Sequence, residues 1–320
     1  MTLPAIIPLE EILAARARIE GLAIRTPLVR LRDGGAGPEI WLKLENLQPI
    51  GSFKIRGAGN AMAVADPDLL LAGVWTASAG NMAQGVAWCA REMRIPCTVV
   101  VPEHAPAAKT EAVERLGGRI VRVPFEEWWK ILVDHGAPGY EGLFVHPVSD
   151  AGVLAGNGTV GVEILEELED VDAIVVPYGG GGLSCGIASA VRQLAPTCLV
   201  YAAEVETAAP LAPSLAVARP LQVDYTPSFV DGIGGRSILA EMWPLASTLI
   251  EASIVVSLRE VAEALRLLVE RNHVVAEGAG AAAVAAARTG RAGVGRVVAV
   301  VSGGNIDTAR LVRLLAGDLT

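Results

Sequence analysis

Cysteine, histidine and lysine are all scarce in this chain of 320 residues, which contains four of each. The cysteines have neither CxxC spacing nor partnered histidines, so we expect neither a metal site built on them nor a disulfide framework. Reduced, buried thiols are instead typical of cytoplasmic proteins. The four positions are Cys89, Cys97, Cys185 and Cys198.

An excess of basic charge is also absent, since the net charge is −9 and the pI is near 5.1. A nucleic-acid-binding surface would need clustered Lys and Arg. The N-terminal residues lack the basic segment and cleavage site of a signal peptide. One stretch of nineteen residues, 173–191, carries no charge, but Pro177 and four successive glycines interrupt it and would break a helix in lipid. We therefore expect a cytoplasmic protein that binds neither nucleic acid nor a membrane.

Apolar residues make up 52% of the chain, which also contains 35 glycines. This composition predicts a compact protein rather than a disordered one. Short runs that are apolar over nearly their whole length alternate with amphipathic segments, a pattern typical of strands buried on both faces of a parallel sheet. The predicted strands are Thr98–Val101, Ile120–Val123, Ala173–Val176, Leu199–Glu204 and Val297–Val301, and the clearest helices are Ala83–Met93, Ala107–Leu116 and Leu258–Arg271.

The alternation of strands and helices predicts an α/β fold, in which ligands bind at the carboxyl ends of the strands. Turn-forming residues at 146–150 suit a boundary between two such units. We predict two parallel-type α/β domains. The large one comprises residues 1–66 and 152–320, and the small one comprises residues 67–151.

Lys54, in the segment Gly51-Ser52-Phe53-Lys54, is notable because arginine outnumbers lysine 22 to four here. An amine that attacks a carbonyl carbon must first lose its proton, which arginine cannot do. Lysine can form a Schiff base when desolvation lowers its pKa. Alone, the segment favours a solvated lysine at the start of a helix.

Three loops predict ligand contacts at the ends of strands. The first, Ser78–Gly85, places small residues before a helix, where free backbone N–H groups can bind a carboxylate. In the second, the four glycines 179–182 follow a buried strand and allow backbone N–H groups to converge on a phosphate. No Walker lysine follows, so a phosphate-bearing cofactor is favoured over a nucleoside triphosphate. In the third, Ser302 ends a strand before two glycines. The first and third loops could also be an ordinary helix cap and a plain strand-end turn.

In this order, these segments resemble the fold-type II family of pyridoxal-phosphate enzymes, whose architecture is that of the tryptophan synthase β subunit, and especially its threonine/serine dehydratase branch. The resemblance extends over essentially the whole chain. It includes Arg25-Thr26-Pro27-Leu28, Leu44-Glu45-Asn46-Leu47-Gln48 and Ala155-Gly156-Asn157-Gly158-Thr159.

The resemblance implies a role for each matching position. Lys54 corresponds to the lysine that binds pyridoxal 5′-phosphate covalently, and the large domain would bind this cofactor. The small domain would carry the substrate loop. The implied cofactor contacts are Phe53, Asn81, Gly179, Gly180, Gly181, Gly182, Leu183 and Ser302, and the implied substrate contacts are Ser78, Ala79, Gly80, Asn81 and Met82.

The implied reaction is β-elimination from a 3-hydroxy amino acid, which yields a 2-keto acid and ammonia. Lys54 would take the Cα proton as general base, and the cofactor phosphate would protonate the departing hydroxyl. The hydroxyl of Ser302 cannot keep the ring nitrogen protonated as a carboxylate would, which favours prompt loss of the leaving group. Alternatives are β-replacement by a nucleophile such as a thiol, racemisation, and binding without catalysis.

Several positions depart from the family pattern. Met82 stands where the substrate loop usually carries histidine, and Trp128 and Trp129 stand where relatives tend to have polar residues. These changes favour a larger or aryl β-substituent, as in phenylserine, although the tryptophans could equally pack a helix. Ala79 replaces the second serine of serine racemases, which disfavours racemisation.

Acidic positions complete the interpretation. Glu204 matches a residue that binds a divalent cation in several relatives, but Pro210 stands where its acidic partner would be, so we predict no metal. Glu277 is either a member of the site or a solvated helix cap, and Gly232 is a further possible member. We expect no regulatory domain after the core, and the resemblance implies a homodimer.

Overall fold

The computed structural model describes residues 3–35 and 37–319. Two sheets organise these residues, and each sheet carries helices on both faces. The larger sheet has six strands in the order β1-β2-β10-β7-β8-β9, all parallel except for the pairing of β1 with β2. Its strands are β1 (Leu28–Arg30), β2 (Glu39–Lys43), β7 (Ala173–Pro177), β8 (Leu199–Val205), β9 (Ala252–Val256) and β10 (Arg296–Val300).

The smaller sheet is wholly parallel, with four strands in the order β5-β4-β3-β6. The predicted α/β class with parallel sheets is therefore confirmed. Its strands are β3 (Val74–Ala77), β4 (Cys97–Pro102), β5 (Arg119–Val123) and β6 (Leu143–Phe144).

Thirteen α-helices are present in the described residues, together with two short 3-10 turns at 45–47 and 240–242. None of the helices in this part of the chain is long and apolar enough to cross a membrane. They are α1 (Leu9–Arg18), α2 (Lys54–Ala63), α3 (Pro67–Leu71), α4 (Asn81–Met93), α5 (Ala107–Arg115), α6 (Phe125–Val133), α7 (Ala151–Glu167), α8 (Gly182–Leu194), α9 (Leu211–Ala216), α10 (Trp243–Leu249), α11 (Leu258–Asn272), α12 (Gly278–Arg288) and α13 (Thr308–Leu315).

Strand side chains alternate between two apolar cores, one on each face of the larger sheet. Val175 of β7 belongs to the core that α11 and α12 cover, whereas Ile174 and Val176 belong to the core under α1, α7 and α8. Since successive side chains of a strand point to opposite faces, a strand buried on both sides must be apolar throughout. The continuous apolar runs of the sequence have this origin.

The predicted strand Ile120–Val123 is the exception to this burial. It forms part of β5, where Val123 is the buried residue and Arg119 and Arg122 are exposed. β5 lies at an edge of the smaller sheet. An edge strand that is solvated on one face needs no continuous apolar run.

Helix α2 joins the two halves of the molecule. It packs against α7 of the larger half and α4 of the smaller half. Glycines permit both approaches, because a Cβ at Gly156 would overlap the carbonyl oxygen of Arg56, and one at Gly85 would lie 3.1 Å from the carbonyl oxygen of Lys54. Since Lys54 is the first residue of α2, this packing fixes its position between the two sheets.

Candidate active site

A cavity of about 380 Å³ lies between the two sheets, where loops from the carboxyl ends of β3, β4, β7 and β10 meet. The structure brings together in it every residue that the sequence predicted for the cofactor or the substrate. They are Phe53, Lys54, Ser78, Ala79, Gly80, Asn81, Met82, Gly179, Gly180, Gly181, Gly182, Leu183, Gly232, Glu277 and Ser302.

The amine of Lys54 is held in a desolvated position. Its Nζ donates a hydrogen bond of 2.7 Å to the carbonyl oxygen of Pro147 and lies 5.2 Å from the centre of the Phe53 ring. Burial lowers the pKa of Lys54 from 10.5 to about 8, against the opposing attraction of Glu277. The solvated interpretation of Lys54 is therefore wrong, and the amine is tuned toward its nucleophilic, neutral form.

Pro147 was not predicted as a site residue, because the sequence around it indicated only a boundary turn. His146 holds the turn in place. Its Nδ1 accepts hydrogen bonds from the backbone N–H groups of Val148 and Ser149, at 3.2 and 2.8 Å, and its Nε2 lies 3.2 Å from the carbonyl oxygen of Leu132. Burial lowers the pKa of His146 to about 4, so the ring is neutral near pH 7 and donates from Nε2 to Leu132.

The glycine loop leads from β7 into the thirteen-residue helix α8. Gly181 has a φ of +94°, a left-handed conformation that favours glycine. A Cβ at Gly180 would lie 2.6 Å from the Val148 side chain, so the loop packs directly on the turn that holds Lys54. Free N–H groups at the start of α8 and the adjoining backbone suit a phosphate.

Asn81 and Glu277 connect the substrate loop to the larger half. Asn81 begins α4, and its Nδ2 donates a 2.9 Å hydrogen bond to Oε1 of Glu277. Asn305, whose role the sequence did not predict, donates from Nδ2 to Oδ1 of Asn81 at 2.9 Å. Its position just after a buried strand was the signal that could have identified it.

Glu277 precedes α12 but makes no capping hydrogen bond with its side chain. It is 7% exposed, and this burial, together with the charge of Asp231, raises its pKa to about 7. The hydrogen bond from Asn81 and the charge of Lys109 act in the opposite direction. The interpretation of Glu277 as a solvated helix cap is therefore wrong, because its carboxyl group belongs to the cavity.

Ser302 lies two residues beyond the end of β10 and is 3% exposed. Its carbonyl oxygen accepts a 3.0 Å hydrogen bond from the backbone N–H of Phe53. This bond ties the end of the strand to the segment that carries Lys54, so the two predicted cofactor contacts are fixed relative to each other.

Aromatic and sulfur-containing side chains form an apolar wall. Phe125 and Trp128 of α6 line the cavity, with ring centroids 5.8 Å apart, and so does Met82, which is 1% exposed. Trp129 is 45% exposed and is not among the lining residues. Of the two tryptophans that the sequence singled out, the structure places only Trp128 at the site.

Glu204 lies outside the cavity, near the end of β8. Its Oε1 accepts a hydrogen bond from the backbone N–H of Leu211 and its Oε2 accepts one from that of Ala212, both at 2.8 Å. The Ser253 hydroxyl also donates to Oε2, at 2.6 Å. The carboxylate thus serves the start of α9, which Pro210 precedes. The prediction that no metal binds here is not tested by these contacts and stays a prediction.

Comparison with known proteins identifies the family. Residues 19–303 match the family described as pyridoxal-phosphate dependent enzymes. The chain belongs to this family. The predicted membership of the fold-type II group is confirmed, and so is pyridoxal 5′-phosphate as the cofactor.

Relatives of known function resemble the chain over nearly its whole length. The L-threonine ammonia-lyase of Thermotoga maritima is 39% identical over 97% of this chain and 78% of the relative. The catabolic L-threonine dehydratase of Staphylococcus aureus is 34% identical over 96% of this chain and 91% of the relative. The predicted enzyme class, a pyridoxal-phosphate-dependent ammonia-lyase, is confirmed.

Two solved structures illustrate the similarity in fold. Maize serine racemase superposes with a TM-score of 0.87 at 31% identity, covering 98% of each chain. Threonine deaminase isoform 2 of Solanum lycopersicum gives a TM-score of 0.86 at 30% identity, covering 97% of this chain and 87% of that one.

The residues of the cavity fit the cofactor that the family implies. The glycine loop leaves a cradle with no side chains, the Lys54 amine is buried with a lowered pKa, and the Ser302 hydroxyl group lies in the same cavity. The glycine loop would hold the phosphate, the Lys54 amine would bond to the aldehyde carbon, and the Ser302 hydroxyl would hydrogen-bond the ring nitrogen.

Proposed function

We propose that the protein dehydrates and deaminates a 3-hydroxy amino acid with a bulky or aryl β-substituent, releasing a 2-keto acid and ammonia. The observation that carries the proposal is the cavity itself, which combines the amine of Lys54 with an apolar wall of Met82, Phe125 and Trp128. The names of the ammonia-lyase relatives support the elimination chemistry.

Each group in the cavity has a proposed task. The cofactor, when bound, supplies the electron sink that allows the Cα proton to leave. The neutral Lys54 amine takes this proton as general base. The backbone of residues 179–182 would hold the phosphate, and the hydroxyl of Ser302 would hydrogen-bond the ring nitrogen without adding charge. The loop Ser78–Met82, at the start of α4, binds the substrate carboxylate through backbone N–H groups.

The apolar wall supports the preference for a large β-substituent. Where the family pattern has a polar histidine, Met82 presents a flexible thioether with no charge. Trp128 and Phe125 add aromatic surface against which a phenyl ring can pack. Desolvating such surface favours a substrate with more apolar area than serine or threonine.

We also propose that the enzyme is a cytoplasmic homodimer and that its chain divides into a cofactor-binding domain, 1–66 with 152–320, and a substrate-loop domain, 67–151. The sheet memberships support the division, since β3 to β6 all lie between residues 74 and 144.

Release of 2-keto acid from serine, threonine and phenylserine tests the substrate proposal. We expect kcat/KM to be highest for phenylserine. Trp128→Ala should lower kcat/KM for phenylserine about tenfold or more, since losing apolar contact with a substrate group costs roughly 1–3 kcal/mol. The matched control is Trp129→Ala, which removes the neighbouring indole from outside the cavity and should change kcat/KM less than about twofold.

If serine and threonine turn over far faster than phenylserine, the preference for a bulky substituent is wrong. Formation of a new amino acid on addition of a thiol would indicate β-replacement, and formation of the Cα epimer without keto acid would indicate racemisation. The side chain of Ala79 has no transferable proton, which argues against racemisation.

A further inference from the structure

We propose that Glu277 is the acid that protonates the departing hydroxyl group, and that the ion pair between Lys109 and Asp231 controls its charge. The inference rests on the proposed function, because it assigns a proton donor to the same elimination.

Glu277 has the geometry of a reacting group. Its carboxyl group lines the cavity that contains Lys54, and one oxygen, Oε1, accepts a hydrogen bond from Asn81 at 2.9 Å. The space around it is closely filled, since a Cβ at Gly303 would lie 2.5 Å from Oε1 and one at Gly232 would lie 3.4 Å from it. The carboxyl group is thus fixed at the wall, and the described residues offer no basic side chain within hydrogen-bonding distance of it.

The ion pair joins the two halves of the molecule at the cavity. Lys109, on α5 of the smaller half, donates to Oδ2 of Asp231 at 2.8 Å, and both residues line the cavity. Asp231 directly precedes Gly232, the glycine whose backbone lies beside Glu277. The loop that contributes the anion of the pair is therefore the loop that packs against the acid.

The charges around Glu277 favour a proton on it near neutral pH. Burial is the largest cause, and the negative charge of Asp231 adds to its effect, so that the pKa of Glu277 rises to about 7. The positive charge of Lys109 opposes this rise in pKa. The negative charge of Glu277 in turn acts to raise the pKa of Lys54. His104 completes the titratable groups among the lining residues. A carboxyl group that holds a proton near pH 7 can act as a general acid.

Two protons move in the proposed elimination, one to Lys54 and one from Glu277. Lys54 takes the Cα proton, the electron pair of the Cα–H bond forms a Cα=Cβ bond, and the Cβ–O bond breaks with its pair going to oxygen. The proton of Glu277 moves to this oxygen, which leaves as water. Glu277 is then a carboxylate and Lys54 an ammonium, and transfer of a proton from Lys54 to Glu277 restores both groups.

Comparing two leaving groups tests the role of Glu277. Chloride leaves without a proton, so elimination from β-chloroalanine needs no acid, whereas elimination from a 3-hydroxy amino acid does. In the holoenzyme, Glu277→Gln keeps an oxygen for the hydrogen bond from Asn81 but cannot donate its proton. We expect kcat for the hydroxy substrate to fall roughly 10²–10⁴-fold, and kcat for β-chloroalanine to stay within about threefold of wild type.

Retained turnover of β-chloroalanine also demonstrates that Glu277→Gln is folded and contains the cofactor. Equal losses on both substrates would give Glu277 a merely structural role and overturn the proposal, and so would unchanged turnover of both. Wild-type protein inactive on both substrates would contradict the proposed function instead.

Charge variants test the ion pair by a readout that does not depend on turnover. The carbon-13 resonance of the Glu277 carboxyl, assigned by its absence in Glu277→Gln, reports the pKa of this group directly. Lys109→Met should raise that pKa and Asp231→Asn should lower it, each with a parallel shift in the acid–base profile of kcat/KM. Lys130→Met, which removes a lysine from the solvent-exposed face of α6, should leave it unchanged. If Lys109→Met and Asp231→Asn shift the pKa of Glu277 in the same direction, or leave it unchanged, the proposed role of the ion pair is wrong.

Discussion

The Lys54 amine combines two properties that oppose each other in water. It must be held in place, which the carbonyl oxygen of Pro147 does, and it must lose its proton readily. Burial makes the proton easier to lose because it disfavours the charged ammonium form. The negative charge of the nearby Glu277 limits this fall in the pKa of Lys54. The neutral His146 supports the turn without adding a second positive charge at pH 7.

The lowered pKa of Lys54 predicts how cofactor loading depends on pH. Only the neutral amine attacks an aldehyde, and its fraction grows as pH rises through about 8 rather than through 10.5. The rate at which apoprotein binds pyridoxal 5′-phosphate, followed by absorbance, should therefore increase with a midpoint near pH 8. N-acetyl-lysine amide provides the unburied reference, and a protein midpoint equal to that of this reference would contradict the prediction.

At this scale the sequence predicted Lys54 from its motif and its residue type, and it predicted Asn81 and Ser302 from loops that follow strands. It did not predict the tasks of Pro147 and Asn305. Both reach the site through contacts between segments far apart in the chain, with Pro147 bonded across 93 positions to Lys54. No local pattern indicates the Pro147–Lys54 pair, whereas the position of Asn305 just after a buried strand is a local signal of a site residue.

The loop from β7 to α8 illustrates what an element contributes that its residues alone do not. Its glycines differ in how much room the fold leaves around them. A Cβ at Gly180 would lie 2.6 Å from Val148, whereas one at Gly179 would find its nearest neighbour at 3.4 Å, an ordinary contact.

This difference predicts unequal effects of alanine at adjacent positions. Gly180→Ala should displace the loop from the turn at Val148 and weaken cofactor binding about tenfold or more, which corresponds to about 1.4 kcal/mol. Gly179→Ala is the matched control and should weaken it by less than about threefold. Equilibrium titration with pyridoxal 5′-phosphate measures both, and equal losses would show that the local clash is not what limits binding.

The sequence predicted the central strands β4, β7, β8 and β10 well because both of their faces are buried. The strands β1, β2, β3, β6 and β9 were not predicted. β1, β6 and β9 are short or lie at sheet edges with partly buried side chains, β2 begins and ends with a charged residue, and β3 has only four residues, so no long apolar run marks them.

A buried network of charges links distant parts of the whole molecule. Arg56, 1% exposed, forms two-pronged hydrogen bonds with Glu45 and with Glu163, and Lys43 pairs with Glu163 at 2.8 Å. Burial alone would raise the pKa of Glu45, but the attraction of Arg56 outweighs it and the pKa is lowered. The network connects α2, which carries Lys54, to α7.

We expect removal of the Arg56 cation to cause a large loss of stability. Arg56→Met leaves buried carboxylates without a partner, and the free energy of unfolding should fall by roughly 3–5 kcal/mol. Arg16→Met, which breaks an exposed pair with Glu166, is the control and should cost less than about 1 kcal/mol. Urea unfolding at pH 7 measures both, and similar losses would contradict the account of the network.

The fold class and the two-part architecture followed from the alternation of strands and helices. The charge network did not, because Glu45, Arg56 and Glu163 come from three separate segments whose contact depends on the final packing. Buried ion pairs are set by tertiary geometry, and a charged residue inside a helical pattern normally indicates a solvated face.

The central claim is that Lys54 binds pyridoxal 5′-phosphate, and covalent trapping tests it most directly. Borohydride reduction of the purified holoenzyme, followed by proteolysis and mass spectrometry, locates the lysine that carries the pyridoxyl group. The account predicts the adduct on Lys54 and none on Lys43, Lys109 or Lys130, the three remaining lysines of the chain. A pyridoxyl group on another lysine, or none at all, would contradict it.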